Sequence, residues 1–390
     1  MSGFVNGAEM TWSLGMYAAS VWMGPWDDLT DKVRGLTLRC ESHGGVQQIQ
    51  FEIADRYIDS YRWAYDHIGS TVYVIDNAVN PPVAEGVIFE PAISLDGTRI
   101  TAFGPWPALM FNQVYNDTAT WVAAGQTGAQ VKAILTGECP GVSSDQSNVD
   151  EPGTNNFPWQ PTENAYPGEL IPDLAALGDA SNEEWYFWLK TAPMLGTTPA
   201  KPVPYFKARS SITKVYQAWL ADFAPGGLDL MPSLRELVND ARVIYRNAAG
   251  GQQVTASGTD ADSQSRYGLR ERWSYDLGAA PAAAAIQYRD MLLERYKAPQ
   301  QSASFRLNTW LYDQWGGRWP LWRAIADFPF KFTVADLIPD STVLGHTLDN
   351  KRTFLTLGVE YDYDSNTLTI TPDTEDNRAD ALLARHRTFQ

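Results

Sequence analysis

Ile49-Gln50-Phe51-Glu52-Ile53 alternates apolar and polar side chains with a period of two. Successive side chains of a strand point to opposite faces of a sheet, so this run predicts a strand with one buried and one wet face. Similar runs follow, separated by glycine- and proline-rich turn signals: Thr71–Ile75, Gly86–Phe89 and Ile100–Phe103. This spacing predicts a β-barrel or β-sandwich within residues 1–118.

The last third of the chain, residues 237–390, has the same β character. Its candidate strands are Ala241–Arg246, Gln252–Ala256, Phe305–Leu311, Phe330–Val334, Thr353–Tyr363 and Thr367–Thr371. Residues 281–297 interrupt them with a predicted helix, because Pro281 suits a first turn and Pro299 follows the end. Residues 364–366 predict a hairpin turn rather than a calcium loop, since Thr367 stands where such a loop needs glycine.

The middle of the chain predicts two further segments. Residues 119–168 are expected to form an extended linker or arm, because 137–168 are rich in Pro, Gly, Ser and Asn and lack a period. Residues 169–236 predict a mixed α/β insert with a short helix at 172–177, a strand at 184–190 and a helix at 211–223. The last carries an apolar stripe at helical spacing: Ile212, Val215, Tyr216, Trp219, Leu220 and Phe223. The expected fold class is therefore mainly β with α/β inserts (α+β).

Composition narrows the function classes. The 390 residues include 30 basic and 46 acidic side chains, a net charge of −16, which argues against nucleic-acid recognition and against electrostatic binding to anionic membranes. No apolar run approaches the ~20 residues that span a bilayer, so no stable membrane insertion is expected. The N-terminus shows no secretory signal, and Cys40 and Cys139 are predicted to be unpaired thiols of a chain folded in a reducing cytoplasm.

Motifs for catalysis are missing from the sequence. The four histidines are far apart, and neither a zinc-hydrolase motif nor a phosphate-binding glycine loop occurs. We therefore predict no catalytic residues, no cofactor and no metal site. Close carboxylate pairs leave a glycoside hydrolase as an alternative, although 46 acids make such pairs expected by chance: Asp27/Asp28, Asp55/Asp59, Glu183/Glu184 and Asp260/Asp262.

Tryptophan is abundant, with 15 copies, and it is densest in residues 309–322, TWLYDQWGGRWPLW. Trp310, Trp315, Trp319 and Trp322 are the predicted interface residues, because Trp is enriched where subunits meet. The alternatives are core packing and a platform for stacking sugars, as in a carbohydrate- or receptor-binding module. Gly316, Gly317 and Pro320 break any helical face, so the four rings need not align.

Four features of the C-terminal half form a recognisable series: the strand Val243–Asn247, the segment Asp262–Glu271 (DSQSRYGLRE), the Ala-rich helix Ala282–Lys297 and the closing stretches 336–340 and 352–363. Through them this half resembles the phage tail-hub proteins, also called minor tail or baseplate hub proteins, which include the T4-type hub and its counterparts in long, flexible-tailed phages. The N-terminal half is similar through Gly44-Gly45, Phe51-Glu52-Ile53 and Gly86-Val87-Ile88.

The resemblance implies two small β-barrels, at 1–118 and 237–390, joined by mixed segments. It implies a homo-trimer whose six barrels form a pseudo-sixfold ring between the sixfold tail tube and the threefold tip. The expected role is structural and not enzymatic, in the virion, next to distal tail or tube, tip or fibre, and tape-measure proteins. DNA would pass through the ring without specific binding, and an acidic lumen would help to prevent adhesion.

Overall fold

The computed structural model describes residues 12–17, 33–53, 62, 65–76, 82–94, 97–114, 127–151, 165–177, 185–192, 201–234, 237–247, 249–274, 281–297, 300–334 and 353–372. The N-terminal strands are β1 (Trp12–Tyr17), β2 (Val33–Glu41), β3 (Gly44–Ile53), β4 (Thr71–Asp76), β5 (Ala84–Ser94) and β6 (Gly97–Phe103). The middle of the chain forms α1 (Pro105–Leu109), α2 (Thr127–Glu138), α3 (Pro167–Leu177), β7 (Trp185–Lys190), β8 (Val203–Ala208), β9 (Val215–Ala218) and β10 (Phe223–Ser233).

The remaining elements lie in the last third. They are β11 (Asp240–Arg246), β12 (Gln252–Val254), β13 (Gly258–Thr259), α4 (Ala261–Tyr267), β14 (Glu271–Ser274), α5 (Ala282–Tyr296), β15 (Gln300–Leu307), β16 (Leu311–Asp313), β17 (Arg318–Trp319), α6 (Arg323–Ala326), β18 (Lys331–Val334), β19 (Thr353–Asp362) and β20 (Thr367–Pro372).

One large sheet joins the first and last thirds of the chain. Its strand order is β1-β4-β5-β6-β3-β2-β19-β18-β9-β16-β17, and β20, β15 and β10 continue from β19 on a branch. The join is the antiparallel pair β2–β19, in which Leu38 lies opposite Tyr361 and Cys40 opposite Val359. The amide of Gly35 also donates to Asp364 Oδ2 at 2.8 Å, in the turn between β19 and β20. The two β regions are therefore one hydrogen-bonded unit.

The main core lies on one face of this sheet. Alternation along the strands places the apolar side chains on that face. In β2, for example, Leu36, Leu38 and Cys40 are buried while Thr37 and Arg39 point away from the core. Phenylalanines from the last third complete the core: Phe305, Phe328, Phe330, Phe332 and Phe354. Period-two alternation in the sequence thus becomes one apolar and one polar face.

A second core fills the space between the helices and a smaller sheet. Apolar side chains of α2, α3 and α5 pack with β7 and with β11, the centre of the sheet β12-β11-β13 that also carries β14. In β7 the five residues from Trp185 to Leu189 are all buried. This confirms the predicted strand at 184–190 that is bulky on both faces.

Much of the predicted outline is confirmed. The fold is mainly β with some helices, α5 matches the helix predicted at 281–297, and β19 and β20 form the hairpin predicted around 364–366. Within the described residues the sheets are open and close into no barrel. In the same residues, no helix has the length and apolar character needed to cross a membrane.

The predicted helix at 211–223 is wrong. The segment forms a 3₁₀ turn at Arg209–Ser211, the strand β9 and a second 3₁₀ turn at Leu220–Asp222. β9 lies between β18 and β16, and these distant strands supply its backbone hydrogen bonds. Tyr216 and Ala218 enter the core with a period of two, while Trp219 remains partly exposed. Tertiary pairing thus overrides the local helical pattern.

Part of the predicted arm packs against the body. After α2, Val142 and Val149 are buried in the second core, and the amide of Asp150 donates to the carbonyl of Phe206 at 3.0 Å. Lys207 Nζ also donates to Asp150 Oδ1 at 2.6 Å. Residues 152–164 of that arm, and the resemblance at 336–340, lie outside the described residues.

Candidate functional site

The tryptophan-rich segment folds as a hairpin whose turn is held by one carboxylate. The amides of Trp315 and Gly317 donate to Asp313 Oδ1 at 2.9 and 2.8 Å, and Trp319 Nε1 donates to Oδ2 at 3.0 Å. The bond from Trp319, followed by the one from Gly317, lowers the pKa of Asp313. Gly316 has φ of +82°, which glycine adopts without strain. The turn is therefore constrained by several donors at once.

The four tryptophans of this segment do not share one surface. Trp315, at the tip of the hairpin, is 82% exposed, whereas Trp322 is 4% exposed and belongs to the main core. Trp310 and Trp319 are half-buried. Of the predicted interface residues, Trp315 is the ring most available to a partner, and the interface role of the set stays a prediction.

Cations surround the hairpin. Arg323 and Lys214 lie 5.3 and 5.6 Å from the centre of the Trp319 ring, and Arg318 lies 6.0 Å from the centre of the Tyr312 ring. Such contacts orient the cations and hold them near the aromatic faces. The hairpin is thus a local aromatic and cationic surface on a strongly acidic chain.

A half-buried ionic cluster centred on Asp327 lies beneath the tryptophan-rich hairpin. Asp327 Oδ2 accepts hydrogen bonds from Tyr216 Oη at 2.6 Å and Arg323 Nε at 2.9 Å, and Lys214 Nζ lies 3.2 Å away. Burial raises the pKa of Asp327, but the bonds from Tyr216 and Arg323 outweigh burial, so the pKa lies below its ordinary value. Burial also lowers the pKa of nearby Lys190. The cluster ties α6 to β9.

The outer face of the main sheet is polar. It runs across β6, β3, β2, β19, β20 and β15 and carries these side chains: Arg34, Thr37, Arg39, Gln48, Gln50, Glu52, Arg99, Thr101, Ser304, Arg306, Glu360 and Thr369. Arginines lie opposite acids, since Glu52 pairs in register with Arg34 and Arg99, and Glu360 with Arg39. Thr37, Arg39, Gln48, Gln50 and Glu360 line a shallow concavity.

Of the four carboxylate pairs considered for a glycoside hydrolase, the structure describes one, Asp260/Asp262. Asp260 caps α4 by accepting from the Ser263 amide at 2.8 Å and lies 3.7 Å from Lys297 Nζ, while Asp262 is exposed in the first turn. The other three predicted pairs lie outside the described residues. Within those residues, His, Cys, Asp and Glu form no group of three that could hold a metal ion.

Both cysteines are buried free thiols. Burial raises the pKa of Cys139 to about 12 and raises that of Cys40 further, so neither forms the thiolate that would make it reactive. Cys139 Sγ instead lies 3.5 Å from Met110 Sδ in the second core.

Sequence reasoning missed the side chains that organise this surface. Asp313 precedes a Gly-Gly pair in the pattern Asp-x-x-Gly-Gly, a turn signal that could have identified it. Asp327 and Lys214 carry no such signal, because Tyr216 and Asp327 are 111 residues apart and meet only in the fold.

Solved structures of phage tail proteins share this architecture over nearly the whole chain. The 43 kDa tail protein of prophage MuSo2 from Shewanella oneidensis has a TM-score of 0.56 at 17% identity, covering 94% of this chain and 99% of that one. Prophage tail protein gp18 from Listeria monocytogenes EGD-e has a TM-score of 0.55 at 13% identity, covering 96% and 99%. The chain has the fold of a phage tail protein. A tail protein of Neisseria meningitidis MC58 adds a TM-score of 0.51 at 10% identity, covering 94% and 97%.

The tail-protein fold confirms the resemblance drawn from the sequence. No protein-family model and no curated protein matches the sequence, so the solved structures are the comparison that supports it. The hairpin that presents Trp315, the Asp327 cluster and the polar sheet face are therefore surfaces of a tail-protein fold.

Proposed function

We propose that the chain is a structural subunit of a phage tail, a hub or distal tail-tip ring protein that links the sixfold tail tube to the threefold tip. The observation that carries this proposal is the match of almost the entire chain to almost the entire length of three tail proteins.

The proposed assembly is a homo-trimer in the virion, built from chains made in the host cytoplasm. Its two proposed β units are 1–118 and 237–390, with 119–168 and 169–236 between them, and strands β9 and β10 of the last segment pair with the second unit. The β2–β19 pair supports a rigid relation between these units, because it hydrogen-bonds one to the other. Proposed neighbours are the distal tail or tube protein, tip or fibre proteins and the tape measure.

The polar sheet face is the proposed wall of the lumen. A wall that DNA must pass should offer little net positive charge to the phosphates. The side chains named for this face include four arginines and two glutamates, so it is not the acidic wall that the net charge led us to expect. Neighbouring acids offset part of this charge: Arg39 forms an ion pair with Glu41 at 2.6 Å and lies opposite Glu360, and Glu52 lies opposite Arg34 and Arg99. DNA would then move past this wall without specific binding.

The test is a cryo-electron microscopy map of the virion that encodes this chain. The expected result is three copies around the tail axis, between tube and tip, with the polar sheet face toward the axis. Deleting the gene should stop tail completion, and a plasmid copy should restore it. A virion that lacks the chain, or that carries one copy off the axis, contradicts the proposal.

Carbohydrate or receptor binding is a second candidate, favoured by the ring of Trp315, which is 82% exposed. Titration with host-wall oligosaccharides should quench tryptophan emission in the native chain and not in a Trp315→Phe variant. Unchanged emission counts against it. A tail-associated glycoside hydrolase would have to release sugar from host wall, and no release at high protein concentration counts against that activity.

A further inference from the structure

Two groups of side chains that each include at least one strongly exposed apolar residue lie toward opposite ends of the main strand order. The hairpin patch, on β16 and β17, consists of Tyr312, Trp315, Trp319, Lys214, Arg318 and Arg323. The loop patch, beside β4 and β5, consists of Tyr65, Asp66, Ile68, Phe89, Glu90 and Phe103. Large apolar side chains exposed in groups mark interaction sites more often than single ones do, and the loop patch has three of them: Tyr65, Ile68 and Phe89.

The backbone of the hairpin patch is preorganised for binding. Trp315 projects from a turn held by three hydrogen bonds to Asp313, so little backbone conformational entropy is lost when a partner covers its ring. Lys214, Arg318 and Arg323 exceed the acids Asp313 and Asp327 by one charge. The patch is therefore aromatic and slightly basic, although the whole chain carries −16.

The loop patch has the opposite character. Tyr65 is 69%, Ile68 53% and Phe89 47% exposed. The amide of Gly69 donates to the carbonyl of Ile88 at 2.8 Å, which places Ile68 beside the end of β5 that carries Phe89. Asp66 and Glu90 are exposed there, and Arg62 lies 3.6 Å from Asp66 and offsets one of the two charges.

We propose that the hairpin patch of one copy binds the loop patch of a second copy, head to tail. The occupant follows from charge: each patch carries the charge that the other lacks, and two hairpin patches facing each other would bring like charges together. Contacts between different surfaces of identical subunits build a ring when the rotation closes. This inference rests on the proposed ring function and names the surfaces that would join its subunits.

The test uses one variant for each patch, measured by sedimentation velocity over a range of concentrations. Trp315→Ser removes the projecting ring of the hairpin patch, and Ile68→Asp places a charge in the apolar part of the loop patch. Leu269→Ser is the matched control, since Leu269 is also apolar, is 64% exposed and lies outside both patches. Wild type and the control should form the same oligomer. Each patch variant should weaken association at least tenfold and sediment as a folded monomer, with an unchanged circular dichroism spectrum.

Mixing the two patch variants decides whether the contact is head to tail. Each retains one intact patch, so an equimolar mixture should form a heterodimer that cannot grow further. A mixture that stays monomeric overturns the pairing of these two patches. Patch variants that assemble like wild type also overturn it, as does a wild type that stays monomeric at the highest concentration. The virion map described above tests the ring function separately, because a ring with other contacts would still show three copies.

Discussion

Asp327 is the shared anion of the half-buried ionic cluster in the last third of the chain. Its side chain is 13% exposed, and it meets the hydroxyl of Tyr216 and the cations of Arg323 and Lys214. Replacing it by asparagine would leave two cations facing each other without their shared anion. We expect Asp327→Asn to lower the free energy of unfolding by about 3 kcal/mol, measured by urea denaturation.

The control for this variant is Asp229→Asn, at an exposed position of β10. It should change stability by less than about 0.5 kcal/mol, because surface substitutions of this kind are usually near neutral. Equal losses for the two variants would show that the Asp327 cluster contributes nothing beyond an ordinary surface charge.

Glu85 is buried on β5, 4% exposed, and within the described residues its Oε1 has no hydrogen-bond donor. Burial raises its pKa from 4.5 to about 8. Folding therefore favours the protonated form, and this contribution is full below pH 4.5 and is lost as the pH rises through about 8. Between pH 6 and 9 the free energy of unfolding of the native chain should fall by about 2–3 kcal/mol, and that of the Glu85→Gln variant should not show this fall.

Urea denaturation at the two pH values measures this difference. Glu90→Gln, at an exposed position of the same strand, is the matched control and should retain the pH dependence of the native chain. Parallel pH profiles for the native chain and Glu85→Gln would mean that the carboxylate is already ionised at pH 6.

At the scale of elements, the start of β3 requires glycine at position 45 for two separate reasons, a positive φ and a close backbone contact. Gly45 has φ of +80°, and a Cβ there would lie 2.5 Å from the carbonyl oxygen of Leu189 on β7. Gly35, within β2, is the comparison position: its φ is +64°, and a Cβ there would have no atom within 4 Å. Gly35→Ala should therefore report backbone strain alone, about 1 kcal/mol, whereas Gly45→Ala adds a steric clash and should cost about 3 kcal/mol or more.

Thermal or urea unfolding of the two variants separates strain from contact. If both alanines cost the same, the approach of β7 to the start of β3 does not matter for stability. The comparison also tests the join between the main sheet and the second core, because β7 belongs to both.

Elements differ in how far the sequence alone predicts them. The helix at 282–296 is recognised from its own residues, since prolines mark both of its ends and apolar residues share one face. The segment 211–223 has an equally good helical stripe and becomes β9, because β16 and β18 offer it a place in a sheet. The difference lies in partners from elsewhere in the chain, which a local pattern does not contain.

On the scale of the whole molecule, the β2–β19 pair makes the first and last thirds depend on each other. Leu38 and Tyr361 lie opposite each other in that pair and share the main core. Leu38→Ala should destabilise this core by about 2–5 kcal/mol. Hydrogen exchange should then show an equal loss of protection in peptides 46–53 and 367–372. Loss confined to 46–53 would mean that the two β regions unfold independently.

The sequence by itself determined the β class, the polar and apolar faces of the strands, the helix at 282–296, the turn at 364–366 and the resemblance to tail proteins. These features are local, because they depend on side-chain periods and turn residues within a few positions of one another. Tertiary structure alone decided the union of the two β regions, the strand at 215–218, the burial of Trp322 beside the exposure of Trp315, and the cluster around Asp327. Each of these requires residues far apart in the chain to meet, and a contact between positions 216 and 327 leaves no periodic trace in either segment.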